Sequence, residues 1–301
     1  MSFAFKHSDN VASQVRSIVL GQADKALEQI EAGDGFPAAV HQIRKTCKQT
    51  RGMLRLVRPC FERYREENEA FKSIAASLSS SRDSSVMVET FTGLFPPGAP
   101  YASEDVRPAL EEVRIRLDAR AMHVHEQTDQ QTLLANAAER LRDAKQRIND
   151  WSFTEKGVHI LLPGLEQSFR KLRRGLERAR AEPSAETLHE LRKSAKYHWY
   201  HVRLWQPAAP DLLSAHASML DRVGDALGDH HNLAVLREWL ETATIGHETL
   251  RDTLLHKVEM RQQVLLEEAL PLLSQLAAEK PGALGRRYRQ YWTLLGERDG
   301  R

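Results

Sequence analysis

Cysteine is almost missing from this chain of 301 residues: Cys47 and Cys60 are the only two. That excludes a disulfide framework and points to reduced thiols in a reducing compartment. Glycine and proline are sparse, at 16 and 12, and with 28% charged residues the composition leans helical. No apolar run approaches the roughly 18 residues that a membrane helix needs. Met1 to Asn10 shows no basic region leading into an apolar stretch, so no secretory signal is expected. Net charge is scarce as well, because 43 Lys and Arg against 41 Asp and Glu leave +2. Taken whole, that balance argues against a uniformly basic coat for nucleic acid and against an acidic disordered tail. A soluble, intracellular protein is the expectation.

What the chain does hold is helical periodicity. Apolar residues recur at three- and four-residue spacing and almost never alternate at two. The length suffices for two domains and a sizeable core. Helices are predicted over 9–30, 37–58, 61–79 and 82–94. The Phe95-Pro96-Pro97-Gly98-Ala99-Pro100 stretch is the strongest loop signal. From Ser103 to Asn149 the pattern fits one long helix or two with a bend. After a linker at 151–163, helices are predicted over 164–180, 184–206, 211–227, 232–242, 247–279 and 284–295.

The order of elements recurs, and so do residues. His41 to Pro59 aligns with His189 to Pro207 at an offset of 148, with 7 identities in 19 positions. His, Arg, Lys, Lys, Arg, Leu and Pro repeat at 41/189, 44/192, 45/193, 48/196, 55/203, 56/204 and 59/207. Amphipathic helices in general share Leu and Ile. They do not share a histidine and four cations in one register. Further on, Arg82-Asp83 lines up with His231-Asn232. An internal duplication into halves 9–150 and 160–296 is therefore expected, each half a bundle of helices.

The repeated residues have a definite geometry. At about 100° per residue, His41, Arg44, Lys45, Lys48, Arg51 and Arg55 fall within an arc of about 120°. Ile43, Cys47, Leu54 and Val57 occupy the opposite arc, as a core face. In the second copy Leu191, Ala195, Val202 and Trp205 take that role, and Trp199 replaces Arg51. No acidic residue occurs from Gly35 to Phe61. A charged helix face is usually just solvated, but such faces mix signs, since like charges four apart destabilise a helix. Two cations about 6 Å apart repel by roughly 3 kcal/mol at an effective dielectric near 20. Stability gives no reason to repeat that arrangement, whereas a bound polyanion does. Both histidines fall near the start of a helix, where the macrodipole favours anions.

Two further basic clusters occur, Arg170-Lys171-Leu172-Arg173-Arg174 with Arg178 one turn on, and Arg286-Arg287-Tyr288-Arg289. Rival chemistries are less well supplied. Phosphate chemistry usually needs clustered carboxylates holding a metal, or a phosphate-cradling glycine loop, and no Gly-x-x-x-x-Gly-Lys occurs. His123-x-His125, His198-x-x-His201 and His230-His231 invite a metal reading, but no carboxylate or Cys completes a ligand set beside them. Tyr197 and Trp199 are candidate base-stacking platforms for nucleic acid; beside the apolar face, core packing is the expected role.

The motifs His41-x-x-Arg44-Lys45-x-x-Lys48 and His189-x-x-Arg192-Lys193-x-x-Lys196 resemble those of the CHAD family, the conserved histidine α-helical domain. The resemblance spans about residues 9–295. It implies an all-α fold of two four-helix bundles related by a pseudo-two-fold axis, their basic helices facing a shared central groove or pore. It also implies binding of inorganic polyphosphate, without catalysis or cofactor, and association with polyphosphate granules in the bacterial cytoplasm. Other phosphate polyanions are candidate partners; a membrane or a specific nucleic acid is not expected. Carried over by position, the contacts are His41, Arg44, Lys45, Lys48, Arg51, Arg55, His189, Arg192, Lys193, Lys196 and Arg203, with Arg173 and Arg174 on the preceding helix. The chain departs from the family pattern at Trp199 and at His231-Asn232.

Overall fold

Periodic apolar residues shape the first half into six helices: α1 (Val11–Ala32), α2 (Phe36–Val57), α3 (Tyr64–Ala76), α4 (Ser80–Leu94), α5 (Arg107–Glu126) and α6 (Gln130–Asn149). The second half carries α7 (Leu162–Ala181), α8 (Ala185–Trp205), α9 (Pro210–Thr242), α10 (Glu248–Leu276) and α11 (Pro281–Asp299). This computed structural model describes residues 3–97, 107–127, 129–243 and 248–299, and the side chains of 80–83, 109, 125, 248–249 and 298–299 lie outside the description. The Arg82 and Asp83 side chains and the Gly98 to Pro100 part of the loop signal thus fall outside the described residues. Among those described there is no β-strand, and the fold is all-α as expected.

Local chemistry sets the boundaries. Gly33 takes the left-handed conformation, φ 70°, that closes α1. Pro37 stands in the first turn of α2, where its missing N–H orphans nothing. Ser184 caps α8 in a reciprocal capping box with Thr187. The 103–149 stretch resolves into two helices, with Asp129 accepting from the Thr132 N–H at the start of α6.

At the offset of 148, α1 corresponds to α7, α2 to α8, α5 to α10 and α6 to α11. The pair α3 and α4 corresponds to α9 alone. Here the structure corrects an expectation, since the helices predicted over 211–227 and 232–242 are one. Gly228 reads as a break but stays helical, and the Arg192 guanidinium occupies the space a side chain there would fill, 3.1 Å from its Cβ position. Likewise α10 stops at Leu276 instead of 279, and Pro281 opens α11 three residues before the predicted start.

In the first half α1, α2, α3 and α6 pack together, while α4 and α5 form a hairpin whose α4 leans on α9. In the second half α7 packs on α8 and α11, and α9 on α8 and α10. The halves meet through α2 against α7 and α8. One apolar cluster runs through both, from Val15 and Leu54 to Trp205 and Tyr288. Glu67 is fully buried, and the Arg147 guanidinium donates to it at 3.0 and 3.2 Å; a buried carboxylate needs such a partner. The N-terminal segment belts the second half. The Phe5 N–H donates to Leu204 O at 2.9 Å, and its ring packs edge-on against Trp205 and Trp292.

Candidate functional site

The helices that carry the two basic motifs cross each other. Gly52 of α2 lies against Tyr200 of α8, and a Cβ on Gly52 would stand 3.0 Å from that of Tyr200. These two positions are equivalent at the offset of 148, so each helix meets the other at the same place in its motif. The His201 Nε2–H donates to Gly52 O at 3.0 Å and ties the crossing. Burial pushes His201 down to about 4, so the ring is neutral there at physiological pH.

Each helix buries the face that its spacing predicts. Ile43, Cys47, Leu54 and Val57 are fully buried, and so are Leu191, Ala195, Val202 and Trp205. The cations therefore emerge on the other side. On α2, His41, Lys45 and Lys48 are exposed, while Arg44, Arg51 and Arg55 lean half-buried on α3. Arg44 donates to Ala75 O and Ser79 Oγ at 3.0 and 2.9 Å. Arg51 donates to Asn68 Oδ1 at 3.2 Å and Arg55 to the Tyr64 hydroxyl at 3.2 Å. For Arg51 and Arg55 these partners are neutral, so each guanidinium is positioned without losing its charge.

The α8 stripe leans on α9 in the same way. Arg192 lies over Gly228, and Lys196 donates to Asp221 at 3.1 Å. Lys193 is exposed and pairs with Glu190. The His189 ring meets that of His231 with centroids 4.5 Å apart. Burial first, then His231, Lys193 and Arg192, hold His189 below its ordinary pKa, with Glu190 opposing them. The two histidines fall in the second turn of their helices, past the first turn where the dipole is strongest.

Tyr197 and Trp199 pack against the core as expected, and they do more. Both are half-buried and hold stripe cations. The Arg55 guanidinium crosses between the halves to lie 4.0 Å from the Tyr197 ring centre. Lys196 Nζ and the Arg203 guanidinium stand 4.0 and 4.8 Å from that of Trp199, close enough for cation–π attraction. Trp199 thus positions cations where its counterpart Arg51 supplies one.

A groove of about 900 Å³ opens between α7 and α8, reaching the end of α2. Of the residues carried over as polyphosphate contacts, Arg55 and Arg174 line it. The others stand on the α3 and α9 flanks or, like Arg173, on another face of α7.

The candidate metal histidines are otherwise engaged. His198 is fully buried between Phe169 and His216, and burial holds it well below its usual pKa. His123 is exposed on α5, and the His125 side chain lies outside the described residues. Among the described residues no three His, Cys, Asp or Glu side chains converge.

The CHAD domain profile matches residues 18–241, well over half the chain. The chain belongs to the CHAD family. Two solved structures share the fold. The CHAD domain from the plant Ricinus communis superimposes with a TM-score of 0.54 at 15% identity, covering 92% of this chain and 95% of its own. PptA from Streptomyces chartreusis gives 0.58 at 14%, covering 89% and 99%. A comparison with curated proteins by sequence finds no match.

Within this CHAD fold, the groove adds Arg58, which no sequence pattern marked, and Arg170, Lys171 and Arg178, which the sequence shows as a basic cluster but which were not among the carried-over contacts. A signal existed for Arg170 and Arg178. They flank Arg174 at four-residue spacing and so share one face of α7.

Proposed function

We propose that this CHAD protein binds inorganic polyphosphate as a recognition module without turning it over, and through it associates with polyphosphate granules in the cytoplasm. The observation that carries the reading is the pair of matched cation stripes on α2 and α8, two helices that cross at Gly52 and Tyr200. Polyphosphate is a uniform linear anion with no bases to read. Arginine forks onto its oxygens, and lysine supplies a mobile point charge. Fixing Arg51 and Arg55 on neutral partners favours such a ligand, because their charge stays available to it. Many modest contacts then add up to affinity.

The deciding experiment is competition at fixed salt, with labelled long-chain polyphosphate challenged by unlabelled polyphosphate and by single-stranded RNA, while released phosphate is assayed. Displacement by polyphosphate at far lower phosphate concentration than by RNA, with no release, is expected. Equal displacement would reassign the stripes to nucleic acid, and steady release would make the protein a hydrolase.

Affinity is also expected to rise as pH falls. In the unliganded protein burial, with its neighbours His231, Lys193 and Arg192, holds His189 below its ordinary pKa. A bound polyanion favours the charged ring and raises its pKa, so binding takes up a proton. Affinity should then climb as pH drops through the bound-state pKa and level off below the free-state one. Titration from pH 5 to 8 checks this. The wild type should show a steeper slope than His189→Gln, and a flat wild-type profile would refute the linkage.

A further inference from the structure

The groove between α7 and α8 is absorbed by neither motif, yet one of its walls carries a row of arginines. Arg170, Arg174 and Arg178 stand on one face of α7, spaced by four residues, and all three are exposed. Among the described residues none of the three side chains makes an ion pair or hydrogen bond. They span two helical turns, about 12 Å. Like charges at this spacing repel. The helix dipole accounts for Arg178, in the last turn, but not for Arg170 or Arg174. Arg55 and Arg58 enter the same groove from the end of α2.

This wall has no counterpart in the first half. At the offset of 148, Arg170, Lys171, Arg174 and Arg178 correspond to Gln22, Ala23, Ala26 and Ile30 on α1, and Gln22, Ala23 and Ala26 are buried. The asymmetry therefore does not follow from the repeated architecture.

The α8 wall carries Glu186 and Glu190, and Glu182 lies at the C-terminal end of α7. Glu186 sits in the first turn of α8, where an acid complements the dipole. Glu190 pairs with both Lys171, at 3.5 Å, and Lys193. Lys171 belongs to the groove and Lys193 to the α8 stripe. The two basic surfaces thus adjoin, with one carboxylate between them.

We propose that the α7/α8 groove is a second polyanion-binding tract, continuous with the α8 stripe across Glu190, that engages only chains long enough to run through both. It rests on the polyphosphate reading of the stripes and adds chain-length selection to it. The acidic wall keeps a bound anion against the arginine side. Among the described lining residues Tyr197 is the one aromatic, and Arg55 already holds its ring, which disfavours base stacking there.

The test compares three variants of the full chain, each checked for unaltered thermal unfolding. The groove variant is Arg170→Glu with Arg174→Glu and Arg178→Glu. The stripe variant is Lys45→Glu with Lys48→Glu. A charge-matched control is Arg120→Glu with Arg261→Glu and Arg289→Glu. Ligands are tripolyphosphate, long-chain polyphosphate and polyglutamate. The ratio of long-chain to tripolyphosphate affinity should fall about tenfold or more in the groove variant and change less than about threefold in the control. Long-chain binding by the groove variant equal to that of the control would overturn the proposal while leaving the stripes intact. Unimpaired binding by the stripe variant would instead remove the polyphosphate reading of the stripes. Loss of polyglutamate binding alone would assign the groove to acidic protein segments and refute a polyphosphate tract.

Discussion

Lys45→Glu combined with Lys48→Glu is expected to weaken polyphosphate binding about a hundredfold at low salt, since each reversal replaces a charge-assisted contact of about 1.5 kcal/mol or more with repulsion. The fold should not suffer. Both side chains are exposed, and surface substitutions of this kind usually shift stability by only about 0.5 kcal/mol. Arg192 is a poorer target, because it packs against Gly228 of α9 and its loss would disturb that contact. The salt dependence separates mechanism from mere weakening. A site built on many phosphate contacts loses affinity steeply with added salt, as counterions cease to be released favourably. The double variant should therefore show a shallower plot of log affinity against log salt than the wild type. Isothermal titration over a salt series measures both quantities. Unchanged affinity would remove the stripes from the site.

The stripes were legible because they depend on one helix at a time. A spacing of 3.6 residues puts Ile43, Cys47, Leu54 and Val57 on one side, and the cations must then take the other. The burial of those four residues follows from period alone. What the chain does with its helices was less legible. The Gly228-Asp229-His230-His231-Asn232 stretch carries every local mark of a break, yet α9 runs through it because α8 packs there and Arg192 takes up the space beside Gly228. Tertiary packing overrides local propensity at that point. The crossing of Gly52 with Tyr200 is invisible to periodicity, since it joins residues from separate halves.

The site divides along the same line. Arg173 and Arg174 are neighbours in sequence and read as one basic block. About 100° of helix rotation separates them, and only Arg174 reaches the groove. Arg58 and Tyr197 join that groove from other elements, which no local pattern announces. Trp199 shows the converse: its place in the stripe looks like a lost cation, yet it holds Lys196 and Arg203 against its ring.

The largest stability effect is expected where the halves touch backbone to backbone. Gly164 lies in the first turn of α7, beneath the last carbonyls of α2. A Cβ on Gly164 would stand 1.8 Å from Leu56 O and 2.7 Å from Arg55 O. No rotamer relieves a clash between backbone and Cβ, so α7 must move away from α2. Gly164→Ala should destabilise the protein by about 3 kcal/mol, lowering the thermal midpoint by about 6 to 10 °C. Gly175→Ala, on the same helix, is the control. Its added Cβ would meet Leu191 Cδ1 at an ordinary 3.5 Å, and replacing a mid-helix glycine contributes about 0.8 to 1.0 kcal/mol of helix propensity. The two alanines should thus shift the midpoint in opposite directions, by calorimetry or circular dichroism. Equal midpoints would mean that α2 and α7 do not meet this closely. The same substitution bears on the site, because Arg55 and Arg58 leave the end of α2 beside this contact and line the α7/α8 groove. Pushing α7 outward separates them from Arg170 and Arg174. Residual folded Gly164→Ala should accordingly lose long-chain polyphosphate affinity relative to the wild type.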